Sequence, residues 1–175
     1  LGLSGIKWEL EDYAFRFLEP DFYREIASKL DGKRKIREAY IENVMATIKK
    51  LLLDHNIKAD VSGRVKHIYS IARKMRQKNL SFEQLYDIRA VRVLVDSTAD
   101  CYAVLGMIHE LWVPIPREFD DYIANPKPNG YQSLHTVVLA PNDLTLEVQI
   151  RTHKMHNDAE MGVAAHWKYK EGRGT

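Results

Sequence analysis

Apolar residues recur at helical spacing through the first 55 residues, and beyond Asn56 the period shortens to two in places. WELEDYAFRFL carries one helical stripe. DFYREIASKL follows Pro20 and stops near Asp31-Gly32, and REAYIENVMATIKKLLLDH is a longer amphipathic run. ADVSG then predicts a short strand, and HIYSIARKMRQKN a helix ending near Asn79. SFEQLY opens on a capping box of Ser81 and Gln84, and AVRVLV predicts a buried β-branched strand. CYAVLGMIHELW predicts a helix, FDDYIA and YQSLHTVVL a hairpin, LTLEVQIR an alternating strand, and a last helix runs from about Lys154 to Lys168. Strands interleaved with helices, plus one hairpin, predict an α+β fold. Its mixed sheet is flanked by helices and preceded by a helical extension.

Composition narrows the function classes. A chain of 175 residues suits one domain with a small helical annex. A formal charge of +2 is too small to argue for nucleic acid, so any anion site must arise from local clustering. The single cysteine, Cys101, excludes an internal disulfide framework and fits a reducing cytosol. No apolar run has the length of a membrane span, and nothing resembles a signal peptide. A start at Leu1 and an end in EGRGT lead us to expect a piece of a longer protein. Repeats, low-complexity tracts, a Walker loop and a G-x-G-x-x-G turn are all absent.

The clustering begins at Arg64. From there to Lys78 run six Lys/Arg and no acid. On a helix Ile68, Ile71, Ala72 and Met75 make an apolar stripe, with Lys66, Ser70, Arg73 and Gln77 opposite and Lys74 on the flank. Such a face is ordinarily just solvated. Here no i,i+4 acid offsets the repulsion, and the strip follows a Gly-Arg turn at a helix N-terminus, which favours polyphosphate. In LTLEVQIR, Leu144, Leu146, Val148 and Ile150 share one face, and Thr145, Glu147, Gln149 and Arg151 the other. YDIRAVRV supplies a second carboxylate, Asp87. Together, Asp87 and Glu147 beside a polyphosphate site suggest a Mg²⁺ seat. Asp87 and Arg92 have opposite strand parity, so Asp87 must precede the strand proper or a bulge must intervene.

NPKPNGYQSLH, residues 125–135, stiffens both sides of an Asn-Gly turn with proline. A plain hairpin has no need of that, whereas a ligand loop does, because it lowers the entropy lost on binding. In an extended strand Tyr131, Ser133 and His135 share a face. Tyr131 could stack on a base and His135 reach a phosphate; the alternative is that both simply pack on the sheet. His153, His156 and Glu160 share a helical face and could imitate a zinc site, but the spacing favours a structural or phosphate-facing role. Met155, Ala159, Val163 and Trp167 read as a core stripe, and Trp8 and Trp112 as packing.

GRVKHIYSIARKM, YDIRAVRV, NPKPNGYQSLHTVV, EVQIRT and AEMGVAAHWKYK, in that order, resemble the synthetase domain of the RelA/SpoT alarmone synthetases, most closely the GTP pyrophosphokinases. The resemblance implies a nucleotidyltransferase-like synthetase domain at 57–170, a helical linker or extension at 1–56, and the start of another linker at 171–175. It implies transfer of pyrophosphate from ATP to the 3′-hydroxyl of GDP or GTP, with Mg²⁺ as cofactor, in the stringent response of the cytoplasm. By motif, Arg64, Lys66, Ser70 and Lys74 would hold ATP, with Arg64 and Arg92 enclosing the adenine. Asp87 and Glu147 would hold Mg²⁺, and Glu147 would help deprotonate the hydroxyl. Tyr131 would stack on guanine, with Lys127, Asn129, Gln132, His135 and His156 around the acceptor. REFDDY matches the acidic form of a loop that is basic in bifunctional members, implying a preference for GDP and a steep Mg²⁺ dependence. In the whole protein, ribosome and uncharged tRNA would bind through other regions. Rival readings are a template-independent nucleotidyltransferase, a silent guanine-nucleotide-binding module and an RNA-binding piece. The first lacks its Gly-Ser and Asp-x-Asp arrangement here.

Overall fold

The computed structural model describes residues 3–85 and 88–161. Three helices come first: α1 (Leu3–Leu18), α2 (Pro20–Gly32) and α3 (Arg34–Asp54). They are separated by single residues, Glu19 and Lys33, and Pro20 starts α2 where a missing N–H costs nothing. Then follow β1 (Ala59–Gly63), α4 (Ile68–Lys78), a 3₁₀ turn (Phe82–Gln84), β2 (Ala90–Val95) and α5 (Thr98–Leu111). β3 (Val113–Asp121), β4 (Leu134–Ala140) and β5 (Leu144–Thr152) complete the sheet, and a helical segment is described over residues 153–161. Local signals set several ends. Asn79 closes α4 in the left-handed region (φ 50°), the Ser81 N–H donates to Gln84 Oε1 at 2.9 Å, and the Ser97 hydroxyl caps α5.

The strands lie in the order β1-β2-β5-β4-β3, with β2 and β5 parallel and the other pairs antiparallel. One face of the sheet is dry. Val91, Val93 and Val95 of β2, Leu146, Val148 and Ile150 of β5, and Leu134 and Val138 of β4 pack with Val44, Ile48 and Leu52 of α3 and Cys101, Val104 and Ile108 of α5. Each such side chain stabilises the fold by about 1.5–3 kcal/mol, so this layer fixes the register of β5. A second cluster, Phe15, Ile26, Ile71, Ala72 and Leu85, joins α1, α2 and α4. Among the described residues, no helix is long and apolar enough to cross a membrane.

Several expectations change. The hairpin is present, but its strands do not meet at the Asn-Gly turn. β3 starts six residues early, at Val113, and carries Pro114 and Pro116. As the outermost strand it tolerates residues without an N–H to donate, and its register breaks between Pro114 and Phe119, with Arg117 at φ 70°. β3 stops at Asp121, whose Oδ1 accepts from the N–H groups of Ile123 and Ala124 and turns the chain aside. β4 resumes only at Leu134, so Tyr131 belongs to a loop, residues 122–133. Within it Gly130 (φ 85°) lets its N–H reach Lys127 O, a conformation that favours glycine. Lys66 precedes α4 and is not on its face. β2 begins at Ala90, so position 87 precedes the strand; Asp87 itself, like Val163 and Trp167, lies outside the described residues.

Candidate active site

The other face of β5 is polar and yet covered. Glu147, Gln149 and Arg151 point away from the dry core, as the alternation requires, and are only 6%, 1% and 3% exposed. β5 is therefore a central strand, buried on both sides. Register places Arg92 of β2, Gln149 of β5, His135 of β4 and Asp120 of β3 in one row across the sheet, with Glu147 one row away beside Ala90 and Val137.

Around Glu147 the cations gather. Arg64 Nη1 lies 3.0 Å from Glu147 Oε1 and Lys66 Nζ 3.6 Å from Oε2. Gln149 Nε2 donates to Glu147 Oε1 at 2.7 Å, and Arg92 Nη2 donates to Gln149 Oε1 at 3.4 Å. Arg151 Nη2 lies 2.6 Å from His156 Nδ1, and its guanidinium carbon 5.6 Å from the centre of the Tyr131 ring. The Tyr131 hydroxyl meets His135 Nε2 at 2.8 Å. Tyr122 stands edge-on to both rings, and Lys127 Nζ lies 4.7 Å from the Tyr122 ring centre and 5.4 Å from that of Tyr131.

Burial and cation crowding leave their mark on the titrations. Burial, then Arg151 and Arg64, pull the Arg92 guanidinium down to about 10. Burial, then Arg64, Lys127, Arg151 and Lys66, depress His135 to about 3, so its imidazole is neutral at pH 7. His156 and Arg151 are lowered too, each by burial first. The Nε atoms of Arg92 and Arg151 are buried without a hydrogen-bond partner. Buried donors are normally satisfied, and cations crowd together only where an anion repays the repulsion. The two guanidinium groups therefore keep donor capacity that an anion could use.

Most of the sequence-predicted residues converge here. Arg64, Lys66 and Glu147 touch, Arg92 joins through Gln149, and Tyr131, His135 and Lys127 form the far wall with His156 behind Arg151. Ser70 and Lys74 line, with Lys66, a cavity of only about 20 Å³, room for water but not phosphate. Asn129 Oδ1 accepts the Tyr131 N–H and Gln132 Nε2 donates to Ile123 O, so both brace the loop. A groove of about 660 Å³ opens between α2, α3 and β1 and reaches Arg64 and Lys66.

Three features read from the sequence gain partners that lie far along the chain. The strip from 64 to 78 does find acids, but distant ones. Glu147 serves Arg64 and Lys66, while Glu19 takes Arg76 at 2.8 Å. The N-terminus of α4 is not open to phosphate, because Asp12 of α1 accepts the Tyr69 N–H at 2.8 Å, and Trp8 stacks on His67. The three-residue face of the last helix is divided. His153 bonds Asp60 Oδ2 at 2.7 Å and Val95 O at 3.1 Å, while His156 turns to Arg151. Among the described residues no group of three metal-ligating side chains forms. Sequence reasoning assigned no role to Gln149, Arg151 or Tyr122. The first two stand two and four places beyond Glu147, on its own face, and that spacing was the available signal.

Fold and cleft together define an α+β domain of nucleotidyltransferase type with an anion-receiving centre. The chain belongs to the RelA/SpoT family, since the family described as "Region found in RelA / SpoT proteins" matches residues 63–174. The GTP pyrophosphokinase of Escherichia coli strain K12 is 57% identical over 172 residues, 98% of this chain but 23% of that protein. The chain thus spans about a quarter of the length of such relatives. Among solved structures, small alarmone synthetase 1 from Bacillus subtilis superposes with a TM-score of 0.64 at 27% identity, covering 81% of each chain. The same synthetase bound to its product pppGpp gives 0.61 at 26%, covering 77% of each.

Proposed function

We propose that this domain transfers pyrophosphate from ATP to the 3′-hydroxyl of GDP or GTP, giving ppGpp or pppGpp and AMP. One observation carries the reading: buried cations with orphaned donors, Arg92 and Arg151, crowd a cleft whose one wall is a tyrosine and whose floor is Glu147. The relatives' name, GTP pyrophosphokinase, and the pppGpp held by a structural neighbour support the same chemistry. Arg64, Lys66 and Arg92 are the ATP side, with Ser70 and Lys74 at its margin, where a phosphate would have to widen the small cavity they line. Tyr131, Lys127, Asn129, Gln132, His135 and His156 are the acceptor side, where Tyr131 stacks on guanine and Arg151 steadies Tyr131 and His156. The acceptor 3′-oxygen attacks the β-phosphorus of ATP, its bond to the α,β-bridging oxygen breaks, AMP leaves, and Glu147 takes the hydroxyl proton.

A carboxylate is the hard oxygen donor that Mg²⁺ takes, so Glu147, with Asp87 as second ligand, is where the ion would bind once ATP phosphates draw Arg64 and Lys66 away. When bound, the ion would neutralise phosphate charge. His135 acts here as a neutral hydrogen-bonding group, not as a cation for phosphate. In a whole cytoplasmic protein of the stringent response, ribosome and uncharged tRNA would bind outside this chain, and 57–170 would be the catalytic unit after a linker at 1–56. No observation favours the RNA-binding alternative, and Arg76 of the strip is held by Glu19 of its own chain. Incubation with ATP, Mg²⁺ and GDP should yield AMP and ppGpp in equal amounts. Hydrolysis of ATP without ppGpp, or no turnover, would overturn the assignment.

A further inference from the structure

In the inward row of β5, Glu147 has a chemical task and Arg151 a supporting one, while Gln149 has neither. It is also the most deeply buried of the three, at 1% exposure. A primary amide survives such burial only when both its ends are bonded. Both are: Nε2 donates to Glu147 Oε1 at 2.7 Å and Oε1 accepts from Arg92 Nη2 at 3.4 Å. The direction of the amide is forced. An ionised carboxylate only accepts and a guanidinium only donates, so the NH₂ must face Glu147 and the oxygen Arg92. An ionised glutamate in this place could serve Arg92 but not Glu147, and a methionine could serve neither.

We infer that Gln149 is a positioning residue, holding the Glu147 carboxylate in its reactive orientation and tying it to Arg92. The inference rests on the transfer reaction proposed above. Among the described residues, Arg64, Lys66 and Gln149 anchor Glu147. Arg64 and Lys66 are also the cations assigned to ATP. Once phosphates engage them, Gln149 is the one of these three that nucleotide does not claim. Its partner Arg92 stands beside it in register on β2, and His135 of the acceptor wall stands beside it on β4. The amide therefore sits at the centre of the polar face, between the donor and acceptor halves.

The test is steady-state kinetics of Gln149→Met and Gln149→Glu with ATP, Mg²⁺ and GDP. Loss of one hydrogen bond to a charged group should lower kcat about 10- to 100-fold in both variants. KM for ATP and GDP should stay within about twofold, the split expected when orientation rather than binding is lost. If Gln149→Met melts early, amide exchange decides the matter, because Gln149→Glu sets a second carboxylate against Glu147 and adds a repulsion of its own. Wild-type kcat in a folded variant, or a loss confined to KM, overturns the inference. A second readout needs no turnover. In NMR spectra of the nucleotide-free chain, the Gln149 side-chain amide should resist solvent exchange and lose that protection in Glu147→Ala. An amide exchanging as fast as surface glutamines overturns the inference whatever the chain's activity. A protected amide in a chain that makes no ppGpp would sink the reaction and leave the link standing.

Discussion

Acid should loosen this fold through one ring. His135 Nε2 meets the Tyr131 hydroxyl at 2.8 Å, and burial with four surrounding cations lowers its pKa from 6.5 to about 3. Between those values the unfolded chain binds a proton that the folded chain refuses. Stability is therefore whole above pH 6.5 and is lost as pH falls towards 3. From pH 7.5 to 5 the full shift corresponds to about 2 kcal/mol; the ring is half-buried, so about 1–2 kcal/mol is expected, or a melting point lower by about 2–8 °C. His109 and His156 are lowered as well, and exposed His153, raised by its bond to Asp60, works in the opposite sense, so a control is needed. His135→Gln supplies it, because a glutamine can accept from Tyr131 and does not titrate. Urea unfolding of both proteins at the two pH values isolates the ring's share. If wild type and His135→Gln lose the same stability within about 0.5 kcal/mol, the limit of additivity for such comparisons, the buried neutral imidazole is refuted.

Glu147→Gln should cut turnover by about 10²-fold or more, the usual scale for a lost general base, while ATP without Mg²⁺ binds more tightly because the carboxylate facing Arg64 and Lys66 has lost its charge; kinetics with calorimetric titration checks both. Tyr131→Ala should weaken GDP binding by about 1–3 kcal/mol and leave ATP binding alone; lower melting with an unchanged GDP KM would make the ring mere packing. Asp12→Ala removes the cap from α4 and should cost about 1 kcal/mol, visible in a thermal melt, with a raised KM for ATP because Lys66 stands two residues before the helix. Glu118→Lys with Asp120→Lys should flatten the Mg²⁺ dependence and shift preference from GDP towards GTP; identical Mg²⁺ profiles for the two proteins would leave these acids as surface charge.

The elements were legible where one period dominates. β5 alternates without a break because its two faces meet different surroundings, and α1 to α3 carry helical stripes that end at Asp31-Gly32 and Asn56, or at a proline. Legibility failed at β3. VPIPREFDD contains two prolines and no clean alternation, and it becomes a strand because the edge of the sheet asks only half its backbone groups to pair. No local pattern states that a segment will lie at an edge. That is decided by which strands outcompete it for the centre.

The site was legible by residue type and illegible by partner. Charge alone singles out Arg64, Lys66 and Glu147, but a one-dimensional reading makes the strip at 64–78 look unpaired, since its acids lie 83 residues away at Glu147 and 57 away at Glu19. The same blindness hides Asp12. A carboxylate on the first helix caps the fourth, and so the expected phosphate seat at that N-terminus is filled from within the chain. Gln149 is the harder case, because glutamine on the polar face of a strand is unremarkable until the strand proves buried on both sides. Burial turns a solvated amide into an obligation to find one donor and one acceptor. Among the described residues Glu147 and Arg92 meet it, and so the central strand ties the two halves of the site together.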